Sequence, residues 1–179
     1  YICNSMSTLE VNTITPQSGT TVTLGGSGDT INLASGASAG FEKIGQVVYG
    51  QTTTQVSSSS NSYVDTGITA TITPRSTSSI IHIFINIMGL QSAGTTNARM
   101  DFNIMRGSTE VAVSGANMWD QSGNVTIRNG GFAMNMKDTP SSTSALVYKV
   151  QFKAVEGTCE VQRDGNSGAS TITLMEVLA

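Results

Sequence analysis

A period-two alternation of apolar and polar residues recurs along this chain and is the strongest constraint on its fold. The clearest case is LVYKVQFKA (146–154), in which Tyr148, Val150 and Phe152 alternate with lysine and glutamine. This period is typical of a β-strand that buries one face. Only 12% of the residues are charged, and strong helix formers are scarce beside β-branched and turn-forming residues. We therefore exclude a helical bundle, a coiled coil and most α/β enzymes.

Further alternating runs indicate a complete β domain. Clear runs are found at 64–72, 80–88, 100–104 and 172–174, and weaker ones near 45–50, 109–114, 125–136 and 158–163. Turn-forming stretches such as RGS (106–108) and DGN (164–166) separate them. We count eight or nine strands and predict an all-β fold. The architecture expected for residues 41–179 is an antiparallel β-sandwich head, jelly-roll-like in topology.

Residues 1–40 form a second predicted region of different texture. Apolar pairs there alternate with Thr, Asn or Glu between Gly- and Ser-rich turns, and they comprise Leu9, Val11, Val22, Leu24, Ile31 and Leu33. Such short strands become stable when they stack on other copies, so we predict a short β-stalk that trimerises and attaches the chain to a larger particle. A disordered polar tail is the alternative.

Two short stretches mark the limits of this predicted stalk. The segment ASGASAG (34–40) is expected to be a flexible joint. The residues before Met6 are expected to be an upstream extension or a cloning remnant, and a chain cut from a longer protein is the alternative. The stretch GGSGD (25–29) is interpreted as a tight glycine turn.

The strand at 80–88 carries apolar residues on both faces. Isoleucines at the odd positions from 81 to 87 form one face, and the opposite face consists of Ile80, His82, Phe84, Asn86 and Met88. The second face is too apolar for open water, so we predict that it forms a subunit interface in which His82 and Asn86 make polar contacts. A strand covered by a loop of the same chain is the alternative.

Charge and chemistry exclude several function classes. A net charge of −3 with 9 Lys and Arg lacks the basic footprint of a nucleic-acid binder. The run at 80–88 is far shorter than the ~20 residues that span a bilayer, so no membrane insertion is expected. One His and two distant Cys offer no metal-ligand spacing, and GASAG (36–40) lacks the strand–turn–helix context of a nucleophile elbow. We expect a non-enzyme without a cofactor or metal.

A sugar-contact site is one further hypothesis. Trp119 is the single tryptophan and lies near Asp120, Gln121 and Asn124 in a predicted loop. An aromatic ring beside such side chains suits stacking on a sugar while the polar groups hydrogen-bond its hydroxyls. Alternatively, Trp119 anchors this loop on the domain or on a neighbouring subunit.

Several segments resemble one family. The stretch MSTLEVNTITPQSGTTVTLGGSGDTINLASGAS (6–38) resembles the N-terminal segments of small fibre proteins of tailed bacteriophages, especially marine ones that infect cyanobacteria. YVDTGITATITPRSTSS, FNIMRGSTEV, ALVYKVQF and TITLMEV resemble the globular domain that commonly follows. The resemblance implies a virion component, made in the bacterial cytoplasm, with a homotrimeric shaft and a β-sandwich head.

The resemblance sets the functional expectation. We expect a short trimeric tail fibre or capsid decoration whose N-terminal segment binds another virion protein and whose head contacts a host surface glycan. The chain is short for a long tail fibre, which favours a small appendage. A monomeric carbohydrate-binding module of a larger protein is the main alternative, and a polysaccharide-degrading tail enzyme with two catalytic carboxylates is a further one.

Overall fold

The computed structural model describes residues 13–19, 22–23, 25–30, 44–96, 99–114, 122–163 and 168–178. The chain divides into two compact units, Tyr1–Gly40 and Phe41–Ala179. Within the first unit, none of the described residues between 13 and 30 belongs to a strand. The Asp29 carboxylate accepts a 2.6 Å hydrogen bond from the Gly26 amide, and the Asp29 amide donates to the Gly26 carbonyl at 3.2 Å. The predicted glycine turn at 25–29 is thus present.

The second unit consists of strands and turns, and its described residues contain no helix. The strands are β1 (Ile44–Thr52), β2 (Val56–Ser58), β3 (Val64–Ile72), β4 (Ile80–Thr96), β5 (Arg99–Arg106), β6 (Thr109–Ser114), β7 (Ser122–Asp138), β8 (Leu146–Glu156), β9 (Thr158–Val161) and β10 (Ser170–Val177). The described residues accordingly hold no helix that could cross a membrane.

The strands form two antiparallel sheets. Sheet A has the order β1-β10-β4-β9-β2, and β7 pairs with β4. Sheet B has the order β3-β8-β5-β6. Four pairs are nested in sequence, β1 with β10, β3 with β8, β4 with β7 and β5 with β6, and they fall alternately in sheets A and B. This is the pairing of one long hairpin folded over itself, which is the jelly-roll arrangement.

One hydrophobic core lies between the sheets. Sheet A contributes the odd-numbered isoleucines of β4 together with Ile172 and Leu174, each at most 3% exposed. Sheet B contributes Phe102, Tyr148 and Phe152, which are fully buried. The alternation of the sequence therefore places one side of every long strand inward, and the other side forms the two outer faces of the sandwich.

The predicted fold class is confirmed. The strong runs correspond to β3, β4, β5, β8 and β10, and the weaker runs to β1, β6, β7 and β9. The predicted number of strands was too low, because the three-residue β2 has one apolar side chain and gives no periodic signal. Asn124 was expected in a loop and lies instead within β7, because β4 extends to Thr96 and its partner strand lengthens with it.

Candidate interaction surface

The outer side of sheet A presents a charge-poor surface with exposed aromatic and aliphatic side chains, which we call the four-row face. Its rows follow the register of β1, β10, β4 and β7, because directly paired residues project to the same side of a sheet. The rows are Ile44–Val177–Ile80, Val47–Met175–His82–Lys137, Tyr49–Thr173–Phe84–Asn135 and Gln51–Thr171–Asn86–Ala133. Four strands distant in sequence thus build one surface.

The centre of this face is aromatic and open. Tyr49 is 56% exposed and Phe84 is 43% exposed, and both lie in the third row. The His82 and Phe84 rings are stacked, with centroids 6.4 Å apart and an interplanar angle of 19°. The Tyr49 hydroxyl donates to the Gln51 Oε1 atom at 3.0 Å. Large apolar side chains held in water at such exposure are characteristic of a surface that binds a partner.

Charge is nearly absent from the four rows. Lys137 is their one lysine, arginine, aspartate or glutamate, and it lies at the edge on β7. Amide and hydroxyl groups supply most of the other polar atoms. The Asn86 amide nitrogen donates a hydrogen bond to the Met88 sulfur at 3.5 Å. Depletion of charge around aromatic and aliphatic residues is the composition of an interface core.

A buried carboxylate on the inner side of sheet A positions the strands that form the first rows of this face. Glu176 follows Ile172 and Leu174 in the inward phase of β10 and is fully buried. It accepts hydrogen bonds from the Ser79 hydroxyl at 2.6 Å, the Arg75 amide at 2.6 Å and the Gln46 side chain at 2.7 Å. These bonds join β1, β10 and the turn before β4, so they hold three of the four strands together.

The neighbourhood of Glu176 sets its ionisation and requires a glycine on β1. Burial alone would raise the pKa of Glu176, but the hydrogen bonds from Ser79, Gln46 and Arg75 outweigh it and hold that pKa below its usual value. A side chain at Gly45 would place its Cβ 2.9 Å from the Glu176 Oε2 atom. Gly45 therefore lets β1 pass close to the carboxylate.

A second polar group joins the β7 edge to sheet B. Asp138 accepts from the Arg106 guanidinium and, at 2.7 Å, from the Tyr148 hydroxyl. Burial and the Asp138 charge raise the pKa of Tyr148 far above its usual value, so the phenol stays protonated and donates. The residues are on β7, β5 and β8, so this group links the two sheets at the end of the four-row face.

The outer face of sheet B differs in chemistry. Lys149 lies 2.9 Å from Asp65, Lys153 lies 3.6 Å from Asp101, and the Lys153 ammonium is 5.0 Å from the Tyr63 ring centroid. These pairs join neighbouring strands through charges of opposite sign. Sheet B thus meets water with charged side chains, whereas sheet A does so with aromatic and aliphatic ones.

The structure describes part of the predicted site. Ile80, His82, Phe84, Asn86 and Met88 lie on the outer side of sheet A, as the period-two pattern predicts. In the described part of the chain no loop covers Phe84, which does not support the same-chain alternative. Val22 is exposed and outside any strand. The other stalk residues (Leu9, Val11, Leu24, Ile31, Leu33) and the loop residues Trp119, Asp120 and Gln121 lie outside the described residues.

Sequence reasoning missed three of the four strands that build the face. Val47 and Tyr49 on β1 and Met175 on β10 were not predicted as interface residues, because strand pairing across the whole chain brings them beside β4. A local signal was present in QVVYGQ (46–51), where Val47 and Tyr49 alternate with the half-buried Val48. Nothing in the sequence orders β1, β10 and β4 side by side.

Among the described residues, no group of three or more His, Cys, Asp or Glu could hold a metal ion. Cys159 is buried with a free thiol. It lies near the Ser92 hydroxyl at 3.5 Å, and burial raises the pKa of this thiol.

Comparisons with known proteins assign no family. No protein-family model matches the chain, and no curated protein sequence matches it. Among solved structures, the chain is similar to one in the structure of infectious bursal disease virus, Gx strain, at 14% sequence identity and a TM-score of 0.34. The match covers 84% of this chain and 41% of that one, so this chain spans less than half the length of the structure it matches.

Proposed function

We propose that this protein is a non-enzymatic structural component of a tailed-bacteriophage virion, a short homotrimeric fibre or decoration. The observation that carries the self-association is the four-row face. It places exposed aromatic and aliphatic side chains of β1 and β4 on either side of the half-buried Met175 and Val177 of β10, with a single lysine at the β7 edge. Burying such a surface against another copy removes apolar area from water at little desolvation cost for charges.

A second copy fits this face better than an unrelated partner. Identical chains offer identical apolar faces, and closed rotational symmetry buries every copy's face equally. The amides of Asn86, Asn135 and Gln51 supply hydrogen-bonding groups at the margin of the aromatic centre, as in the polar rim of many interfaces. The number of three subunits and the virion location come from the resemblance of the sequence segments to phage fibre proteins.

The two units would divide the work. Residues 1–40 would form the stalk and bind another virion protein, and the sandwich would form the head. The apolar pairs of the stalk would be covered when three copies intertwine. In this arrangement sheet A faces the symmetry axis, and the charged outer face of sheet B faces solvent and the host surface.

A monomeric carbohydrate-binding module is the second candidate. Tyr49 and Phe84 lie in one row of an open sheet, with Thr173 of β10 between them and amide side chains nearby, which is also suited to stacking on sugars. Against it, the aromatic row is bordered on its other side by the apolar side chains of Val47 and Met175. That border favours contact with protein.

Light scattering on the purified chain, intact and after deletion of residues 1–40, separates the candidates. The proposal predicts a mass three times the 18.6 kDa of one chain, and a trimer that weakens or dissociates without the stalk. A folded monomer in both forms, with measurable affinity for glycans, would contradict the fibre and support the binding module.

A further inference from the structure

Strand β3 contains an irregularity at its centre. Its register against β8 shifts between Asp65 and Thr69, so that three residues of β3 face one residue of β8. Gly67 occupies the left-handed region at a φ of 82°, which favours glycine. The Thr66 hydroxyl donates to the Val150 carbonyl at 2.8 Å and accepts from the Ile68 amide at 3.1 Å. The side chain thus replaces a ladder hydrogen bond, which keeps this bulge satisfied and defined.

The bulge opens a small pocket on the outer face of sheet B. Its volume is about 150 Å³, and it is lined by Asp65, Gly67, Ile68, Thr69, Lys149 and Val150. Drug-sized ligands occupy pockets of about 300–1,000 Å³, so this one suits a single small ring or the end of a longer chain. The lining combines the backbone of the bulge with two charged side chains.

The two charges at the pocket are paired and still have free hydrogen-bonding capacity. The Lys149 ammonium contacts both Asp65 carboxylate oxygens, at 2.9 and 3.0 Å, and the Gln151 amide donates to one of them at 2.6 Å. Burial raises the pKa of Asp65, but the Lys149 and Gln151 hydrogen bonds and the Lys149 charge outweigh it and lower that pKa, which keeps the carboxylate ionised. The side chains of Asp65 and Lys149 are 55% and 31% exposed.

We propose that this bulge pocket binds the neighbouring hydroxyl groups of one sugar ring. Asp65 accepts the proton of one hydroxyl, and the Lys149 ammonium donates to the oxygen of the next. The Gly67 backbone and the methylene groups of Lys149, which line the pocket, contact the carbon face of the ring. Charge-assisted bonds to hydroxyls are stronger than neutral ones, and two of them at fixed spacing select a diol.

A sugar fits this chemistry better than a charged ligand does. Asp65 and Lys149 neutralise each other, so the pocket offers no net charge to an anion or a cation. A zwitterion such as an amino acid would have to separate the pair and pay the desolvation of both groups. A neutral diol adds to the existing pair, because the ammonium has three donors and the carboxylate about four lone-pair sites.

This inference does not rest on the proposed function. The pocket is on sheet B and the four-row face is on sheet A, so sugar binding needs no association of copies. Failure of one proposal would leave the other standing.

A titration of the full-length, isotope-labelled chain followed by amide NMR tests the pocket. The probes are the methyl glycosides of glucose, galactose and mannose, with glycine as a zwitterionic probe. We expect saturable shifts at the Gly67, Ile68 and Thr69 amides with at least one glycoside, at millimolar concentration. Absence of such shifts with all three glycosides, or saturation with glycine alone, would overturn the proposal.

Matched variants then assign the binding to the charged pair. Asp65→Asn and, separately, Lys149→Met should each weaken glycoside affinity at least about tenfold, since each removes a charge-assisted hydrogen bond. Asp101→Asn is the control, because it breaks the neighbouring Lys153 pair on the same face and lines no part of the pocket. Equal loss with the control, or unchanged affinity in both pocket variants with native-like spectra, would refute the assignment.

Discussion

The two outer faces of this sandwich share one core and differ in almost everything else. On sheet A, Phe84 is 43% exposed next to the stacked His82 ring, and Tyr49, in the same row, is 56% exposed. On sheet B, Val147 is exposed to 44%, but its strand neighbours are lysines paired with aspartates. An exposed apolar residue is ordinary on a charged strand. The same exposure beside other exposed apolar side chains and a single lysine is the basis for proposing a partner at this surface.

The two sheets differ in where they place their charged side chains. Sheet B carries its carboxylates outward, where Lys149 and Lys153 pair with them. On the β10 strand of sheet A the carboxylate of Glu176 is turned inward and accepts hydrogen bonds from the buried Ser79 hydroxyl, the Arg75 amide and the Gln46 side chain. The sandwich therefore has one outer face that is poor in charge and one that carries paired charges.

The two outer faces can be compared only if both sheets unfold together as one cooperative unit. A substitution of Phe102 in the shared core should have the largest effect on the stability of that unit. Phe102 on β5 stacks on Phe132 of β7 at 5.4 Å between centroids and lies 6.5 Å from Phe152 of β8. Phe102→Ala should lower the free energy of unfolding by about 3–5 kcal/mol, because it leaves a cavity between the sheets.

Hydrogen exchange of backbone amides in the wild-type chain, measured at increasing denaturant concentration, should show β10 and β8 unfolding in one transition. Separate unfolding transitions for the two strands would contradict a shared core, since the two sheets would then unfold independently.

The inward carboxylate of sheet A gives the next largest effect. Glu176→Gln should cost about 2 kcal/mol at neutral pH, since the charge-assisted bonds to Ser79 and the Arg75 amide are lost. The pKa of Glu176 is lowered by folding, so its stabilisation is complete above the usual value of 4.5 and is lost as the pH falls through the folded value.

Unfolding free energies of wild type and variant should therefore converge in acid. Asp65→Asn is the control on sheet B: the pKa of Asp65 is also lowered, but its exposed pair should contribute less. A gap for Glu176→Gln that widens on acidification would contradict the role given to this carboxylate.

The longer, half-buried pair of Asp101 with Lys153 on sheet B gives the smallest effect. Asp101→Asn should lower the unfolding free energy by less than about 1 kcal/mol, because the Lys153 partner is 3.6 Å away and partly solvated. Molar salt should remove most of this difference by screening. A loss larger than that of Glu176→Gln would reverse the ranking of inward and outward carboxylates.

Much of the fold was predictable from local pattern. Alternation predicted the inward side of β3, β4, β5 and β8, because each of these strands has at least three apolar residues in one phase, and that of β10 from two, Ile172 and Leu174. β2 escaped detection since Ser57 and Ser58 carry no apolar signal. The length of β7 could not be predicted from the sequence, because the residues that pair with β4 are of mixed polarity and show no regular alternation.

The candidate surface was predictable only on its central strand. The face of β4 was apparent from Phe84 and its neighbours, whereas Tyr49 and Met175 join it through pairings between the two ends of the domain. The pair of Lys149 with Asp65 was equally hidden, because it spans 84 residues and depends on a bulge. Glu176 had a readable signal, a charge in phase with Ile172 and Leu174.

The most direct test of the account is the solution mass of two matched variants. Phe84→Glu places a charge in the centre of the four-row face, and Val147→Glu places one at nearly equal exposure on sheet B. If the sheet A face joins copies, wild type and Val147→Glu should be trimeric. Phe84→Glu should be a folded monomer, with association weakened at least about thirtyfold at each contact. A trimer in all three proteins, or a monomeric wild type, would contradict the account.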